Sequence, residues 1–373
     1  MQKKYTSLGL MSGTSGDGVD ASIIHSNGID QFELIKDKYF EYDSNIFKEI
    51  HSLKDIIFDI DDLEKLSQRL KDLERKITIF HAKIIKDLKI QDNEVLIGFH
   101  GQTIYHNSEE KISKQLGDGK LLNQLTRKRI IYNFRKNDIL NGGEGAPLTP
   151  IYHQLIAKQK NIKLPVCFLN IGGISNFTFV KNVKEFSDMF SKDIGPGNCL
   201  IDNWVRKNSK DKFDYDGVMA NSGKKNEIIY EQAQELYANR KNKKKLSFDT
   251  NDFDISFSRG LSLEDGAATL TLFTASIIGE AITDILKEKN ENVKKILISG
   301  GGRKNHFLIK SITKNLPEKT NIQLIDDYGI DGDFVESQAF AFLAVRSLKK
   351  LPISFPNTTN CLKPSVGGEI IEN

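Results

Sequence analysis

The chain opens on a strand that breaks at a run of glycines and resumes at once as a second strand. Tyr5–Met11 reads as the first strand, Ser12-Gly13-Thr14-Ser15-Gly16-Asp17-Gly18 as the turn, and Val19–Ile24 as the second strand, alternating apolar with small or polar residues. The glycines therefore form a hairpin tip. A P-loop needs a helix directly after its glycines and a Gly-Lys-Ser/Thr ending, and neither is present. Roughly a domain length later the same grammar returns, with Val166–Ile171, the turn Gly172-Gly173, and Ile174–Val180. The match is in architecture rather than in residue identity, and it predicts two similar halves.

The rest of the pattern supplies helices to both. Ile46 to Leu88 is amphipathic, with Leu63, Leu66, Leu70 and Leu73 recurring at helical spacing. A buried-type strand, Val95–Phe99, runs into a turn at His100-Gly101-Gln102-Thr103, and Ile130-Ile131 leads into Asn133-Phe134-Arg135. A Gly- and Pro-rich loop, Asn141 to Pro150, precedes a helix from Ile151 to Lys158. A long helix over Leu263–Lys287 leads to a strand at Lys295–Ile298 and a third turn, Ser299-Gly300-Gly301-Gly302; a helix over Glu336–Leu348 closes the pattern. Such alternation argues for two α/β domains with a cleft between them. The expected boundaries are 1–150, 151–350 and a C-terminal tail, 351–373.

Composition narrows the function classes. With 53 basic against 50 acidic residues the net charge is only +3, and the basic runs Lys120–Arg129 and Lys241–Lys245 lack interleaved aromatics. They read as solvated faces, so no nucleic-acid partner is expected. The three cysteines, Cys167, Cys199 and Cys361, are widely spaced and form no CxxC pair, which suits a reducing cytoplasm. Ser and Gly interrupt the N-terminal apolar stretch too early for a signal peptide or membrane span.

Glycine turns permit positive φ and let backbone N–H groups approach a ligand closely. Two of them facing each other across a cleft would hold a polyphosphate from both sides. Ser12, Thr14 and Ser15 add hydroxyls, and Asp17 is a candidate Mg²⁺ contact through water. Asp193, beside the stiff Gly195-Pro196-Gly197 turn, reads equally as a general base or as the cap of the next helix. His100 and His106 flank the Gly101–Thr103 segment and suit substrate contact better than metal binding. No G-x-S-x-G elbow appears, which argues against a covalent hydrolase.

Taken in order, several segments resemble the anhydro-N-acetylmuramic acid kinase family. They are SGTSGDGVD (Ser12–Asp20), HGQT (His100–Thr103), NFR (Asn133–Arg135), GGEGAPLTP (Gly142–Pro150), NIGGISNFT (Asn170–Thr178), DIGPGN (Asp193–Asn198), FDYDG (Phe213–Gly217), SGGGRKN (Ser299–Asn305) and ESQAFAFLA (Glu336–Ala344). Gly16 stands where that family usually carries Leu, Asn133 where Asp is usual, and Arg303-Lys304 where Ala-Arg is usual; Ser247–Asp254 keeps part of the pattern.

The resemblance implies a two-domain, actin-like ATPase fold of ribonuclease H-like α/β domains with a central interdomain cleft, in the superfamily of actin, hexokinase and the heat-shock chaperone ATPases. It implies ATP and Mg²⁺ as cofactors, a small anhydro amino sugar as substrate, a homodimer, and peptidoglycan recycling in a bacterial cytoplasm. ATP would be held by Ser12 to Val19 with Gly172, Gly173, Gly300, Gly301 and Gly302. Asp193 would be the catalytic base, and Glu336, His100, Gln102, Thr103 and Arg135 would contact the sugar. Two other readings keep the same turns: a kinase for another amino sugar or a carboxylate, and a non-catalytic actin-like ATP switch.

Overall fold

The computed structural model describes residues 3–92, 94–238, 255–291 and 293–372. Lys241–Lys245 and Ser247–Asp254 lie outside the described residues. The chain runs through β1 (Tyr5–Ser12), β2 (Gly18–Ser26), β3 (Phe32–Glu41), α1 (Ser44–Lys54), α2 (Ile60–Lys65), α3 (Ser67–Asp87), β4 (Leu96–Asn107), β5 (Ile112–Leu116), α4 (Gly119–Thr126), β6 (Arg129–Tyr132), α5 (Lys136–Leu140) and α6 (Pro150–Gln159). It continues through β7 (Val166–Ile171), β8 (Ile174–Val180), β9 (Met189–Pro196), α7 (Cys199–Asn208), α8 (Val218–Ser222), α9 (Glu227–Ala238), α10 (Leu263–Glu288) and β10 (Lys295–Ser299). The last elements are α11 (His306–Lys314), β11 (Asn321–Leu324), α12 (Val335–Leu348), α13 (Pro356–Thr359) and β12 (Glu369–Ile371).

These elements form two compact α/β units, Met1–Ile162 with Asn182–Phe190 and Asp333–Asn373, and Lys163–Lys181 with Ser191–Gly332. The sheet of the first has the order β12-β6-β4-β1-β2-β3, with β5 on β4; that of the second is β11-β10-β7-β8-β9. Each sheet is built around a glycine-tipped antiparallel hairpin, β1–β2 or β7–β8. In each, the first hairpin strand also pairs in parallel with a neighbour, β4 or β10, which pairs in parallel with the next, β6 or β11. The repeated grammar of the sequence is therefore a repeated strand order, and the fold is the two-unit α/β class expected.

The partition differs from the one read along the chain. Helix α12 belongs to the first unit because it packs directly on β1 and β4, where Gly9 and Gly98 leave room for its backbone. An added Cβ at Gly9 would lie 1.9 Å from the Ser337 carbonyl oxygen, and one at Gly98 2.5 Å from that of Phe340. The Ser7 hydroxyl donates to the Ala341 carbonyl at 2.8 Å. The C-terminal residues, expected as a separate tail, add β12 to β6 in the same sheet. In the second unit α10 is the core helix. It alone among the described helices is long and apolar enough to cross a membrane, but 72% of its apolar window is buried in the protein.

Two local expectations differ. The amphipathic stretch from Ile46 is three helices, α1 to α3, with Asp43 and Asp59 capping the first two through their carboxylates. HGQT is no turn: β4 runs through it to Asn107, its far end pairing with β5, and Gly101 absorbs a register shift at φ 76°. Helix α3 lies under this strand, placing His81 4.8 Å from Phe99 between ring centroids.

His81 and His153 are fully buried, and burial lowers their pKa values to about 4 and about 3. Both rings stay neutral in the folded chain while the unfolded chain takes up protons below about pH 6.5. The folded-state pKa is depressed, so stability is intact above pH 6.5 and falls as pH falls through the window down to the folded values. Each histidine should cost about 2 kcal/mol of stability at pH 5. Urea unfolding followed by circular dichroism should show a midpoint lower at pH 5 than at pH 7, with a His81→Gln variant less affected; a midpoint independent of pH would contradict this.

Candidate functional site

The candidate residues assemble into two sets, one in each unit. In the first unit the β1–β2 turn is fixed from three directions. Gly16 N–H donates to the Gly13 carbonyl at 3.2 Å, and Tyr42 N–H to that of Asp17 at 2.9 Å. The Lys54 ammonium donates to the Thr14 carbonyl at 2.6 Å, and the Tyr42 and Ser12 hydroxyls share a bond of 2.8 Å. The Ser12 hydroxyl is thus engaged within the fold, and Val19 belongs to the core. Gly13, Thr14, Ser15 and Asp17 are the partly exposed members; Gly16 and Gly18 are buried.

Gln102 is fully buried and donates to the Gly13 carbonyl at 2.9 Å, which ties HGQT to the first glycine turn. Thr103 is partly exposed, its hydroxyl 3.3 Å from the Gln115 amide. His100 donates from Nδ1 to the Gly101 carbonyl at 2.8 Å, leaving Nε2 to accept from Arg135 at 2.9 Å. Burial first, and the Arg135 charge second, hold His100 well below its ordinary pKa, so the ring is neutral. Arg135 also donates to the Gly145 carbonyl at 2.8 Å. Glu336, partly buried in the first turn of α12, has its pKa raised by burial, with Arg135 opposing. HGQT, NFR, GGEGAPLTP and the glutamate of α12 thus meet in one cluster. Asn133, at φ 54°, occupies a left-handed position that Asn tolerates well.

In the second unit, the other two glycine turns and DIGPGN form a single knot. Gly197 and Cys199 N–H donate to the Gly173 carbonyl at 2.8 and 3.1 Å, and Asn198 N–H to that of Gly172 at 2.8 Å. A Cβ on Gly302 would lie 2.3 Å from Ile171 Cγ2, and one on Gly300 2.5 Å from Asn170 Oδ1. The Ser299 hydroxyl donates to that same Asn170 oxygen at 3.2 Å. Asp193 lies in β9 and is 6% exposed. It is not the N-cap of α7, which starts four residues after Gly195 and has Asn198 in that position.

Some supporting residues carried no signal in the sequence. Tyr42 and Lys54 reach the first turn from 30 and 40 residues away. FDYDG matched a motif without suggesting a role; Gly217 sits against Asn305 at the end of the third turn, where an added Cβ would be 2.2 Å from Asn305 Oδ1. Among the described residues no group of three or more His, Cys, Asp or Glu side chains is placed to hold a metal ion.

Comparison with known proteins agrees with this arrangement of motifs. Residues 5–373 match the family model described as anhydro-N-acetylmuramic acid kinase. The chain is 54% identical to the anhydro-N-acetylmuramic acid kinase of Pelagibacter ubique over the full length of both. It is 37% identical to that of Brucella canis over 97% of each chain, and 35% identical to that of Zymomonas mobilis over 97% and 98%. Among solved structures, the activator of 2-hydroxyisocaproyl-CoA dehydratase from Clostridium difficile, with bound ADPNP, gives a TM-score of 0.43 at 12% identity over 92% of this chain and 96% of that one. On the extent and identity of the sequence matches, this chain belongs to the anhydro-N-acetylmuramic acid kinase family.

Proposed function

We propose that this chain opens 1,6-anhydro-N-acetylmuramic acid with water and phosphorylates it from ATP, giving N-acetylmuramic acid 6-phosphate and ADP, a step of cell-wall recycling in a bacterial cytoplasm. One observation carries the ATP assignment. Each of the three glycine turns contains a glycine whose side chain the fold itself has no reason to exclude. A Cβ on Gly13 would meet nothing closer than 3.7 Å, one on Gly172 nothing closer than 3.5 Å, and one on Gly301 nothing within 4 Å; none of the three has a positive φ. Close passage of a ligand along the backbone supplies the reason.

Phosphoryl transfer asks mainly for positioning and charge stabilisation. Thr14 and Ser15 offer hydroxyls beside Gly13. With no protein cluster for a metal among the described residues, Mg²⁺ would sit on phosphate oxygens, with Asp17 reaching it through water. When bound, the ion spreads the negative charge of the transferring group.

Asp193 takes the proton of a water as that water attacks the anomeric carbon. The bond from that carbon to O6 breaks, and the freed O6 accepts the γ-phosphoryl group. Burial of Asp193 within a strand, and the anchoring of the Gly195–Asn198 bend on the second turn, suit a base whose direction must not drift. Glu336 and the His100–Arg135 pair orient the sugar; burial and then the Arg135 charge keep His100 neutral, and Arg135 is itself aimed by His100 and Gly145.

A coupled ADP-release assay with Mg-ATP should show turnover with the anhydro sugar but not with N-acetylmuramic acid or N-acetylglucosamine. Asp193→Asn should lower turnover by about two orders of magnitude or more. Activity on an ordinary amino sugar, or an unaffected variant, would remove the ring-opening step. Gly301→Ala should leave the melting temperature unchanged while raising KM for ATP about tenfold, a loss of about 1.4 kcal/mol. Gly302→Ala, crowding Ile171, should instead destabilise by about 1–3 kcal/mol. An unchanged KM in Gly301→Ala would take the third turn out of nucleotide binding.

A further inference from the structure

We infer that Arg303 is a positioning residue for nucleotide binding, locking the third glycine turn in the shape it presents to ATP; this rests on the assignment of that turn to ATP. Arg303 is 7% exposed, and its guanidinium ties the turn to the segment after β11. Nε and Nη2 donate to the two carboxylate oxygens of Asp326, each at 3.0 Å, and Nη2 also donates to Asp331 at 2.9 Å. Nη1 donates to the Gly300 carbonyl at 3.2 Å.

The opposite group of the same glycine is tied to the same segment: Gly300 N–H donates to the Gly332 carbonyl at 2.8 Å. Gly332 packs on the guanidinium, where an added Cβ would lie 2.5 Å from Nε. Gly300 holds a left-handed φ of 81°, and both of its backbone groups are thereby constrained. Gly301, the exposed residue at the ligand-facing position, follows it directly.

A planar guanidinium suits this task and an ammonium does not. Two carboxylates and a carbonyl are bonded at once from donors fixed in one plane, whereas lysine offers a single charged point. Burial pushes the Asp326 carboxyl up, but the Arg303 hydrogen bonds and charge hold it below the ordinary carboxylate value. Without the arginine, the acidic side chains that it bridges would repel one another and the segment holding Gly300 would loosen. The loss would fall on ATP binding rather than on chemistry, because the guanidinium bonds the Gly300 carbonyl and the segment that holds the same glycine.

The test uses the full chain with saturating anhydro sugar. Arg303→Ala should raise KM for ATP by about tenfold or more, leave kcat within about threefold, and leave KM for the sugar unchanged; Arg303→Lys should recover only part of the loss. A KM for ATP unchanged in a folded Arg303→Ala variant would make the arginine merely structural, and a fall in kcat without a change in KM would equally overturn the inference. If Arg303→Ala does not fold, Asp331→Asn, which keeps the Asp326 fork, should raise KM for ATP about twofold to threefold, and no rise would overturn it. Calorimetric titration of the wild type with ATP separates the two levels. No binding there removes the nucleotide assignment itself, and this inference with it; binding equal in wild type and Arg303→Ala removes only the role of Arg303.

Discussion

The first unit depends on the approach of helix α12 to strands β1 and β4 at a distance no side chain would allow. Gly9 and Gly98 sit where the helix backbone passes, and the Ser7 hydroxyl bonds its Ala341 carbonyl. Because interiors are close-packed, even one methyl group at either glycine would displace the helix. Everything that α12 carries follows from that seat. Phe340 packs on both His100 and Phe134, with ring centroids 4.5 and 5.2 Å apart, and Glu336 in the first turn joins the Arg135 cluster. A residue of the last forty thereby lies beside residues of the first 150.

The second unit uses the backbone for the same purpose. The Gly172 and Gly173 carbonyls accept from the amides that follow the Gly-Pro-Gly bend, and the third turn lies on Asn170 and Ile171. Three loops far apart in the chain so become one body, and Asp193 inherits its rigidity from that body. Glycine here does two separable jobs. Gly197 and Gly302 are required by packing, whereas Gly172 and Gly301 are not, and the proposed function assigns the second kind to close passage of a ligand.

Charge is handled by neutral or tightly paired groups. Burial, with the Arg135 charge second, keeps His100 neutral, and Arg303 is engaged by two carboxylates and a carbonyl. Such networks keep buried polar groups satisfied and their directions narrow, which suits a reaction whose difficulty is alignment.

Both hairpins, the third turn, the long helices and the order of the motifs were legible from residue pattern, because periodicity and glycine runs are local properties of the chain. The resemblance in those motifs was likewise enough to indicate the family. HGQT reads locally as a turn, since a strand that continues past a bulge looks like one that stops; only pairing with β5 shows the difference. The division into units was also beyond local reading, because α12 and β12 return to a sheet begun by β1, and nothing in their own residues names that partner. Tyr42 and Lys54 are ordinary residues by sequence and become supports of the first turn only through contacts across 30 and 40 residues. Local residue pattern was enough for the two hairpins, the long helices and the family motifs. Packing alone decided which turns touch, which glycines the fold does not itself require, and what holds Glu336 and Gly300 in place, because these depend on distances between segments far apart in the chain.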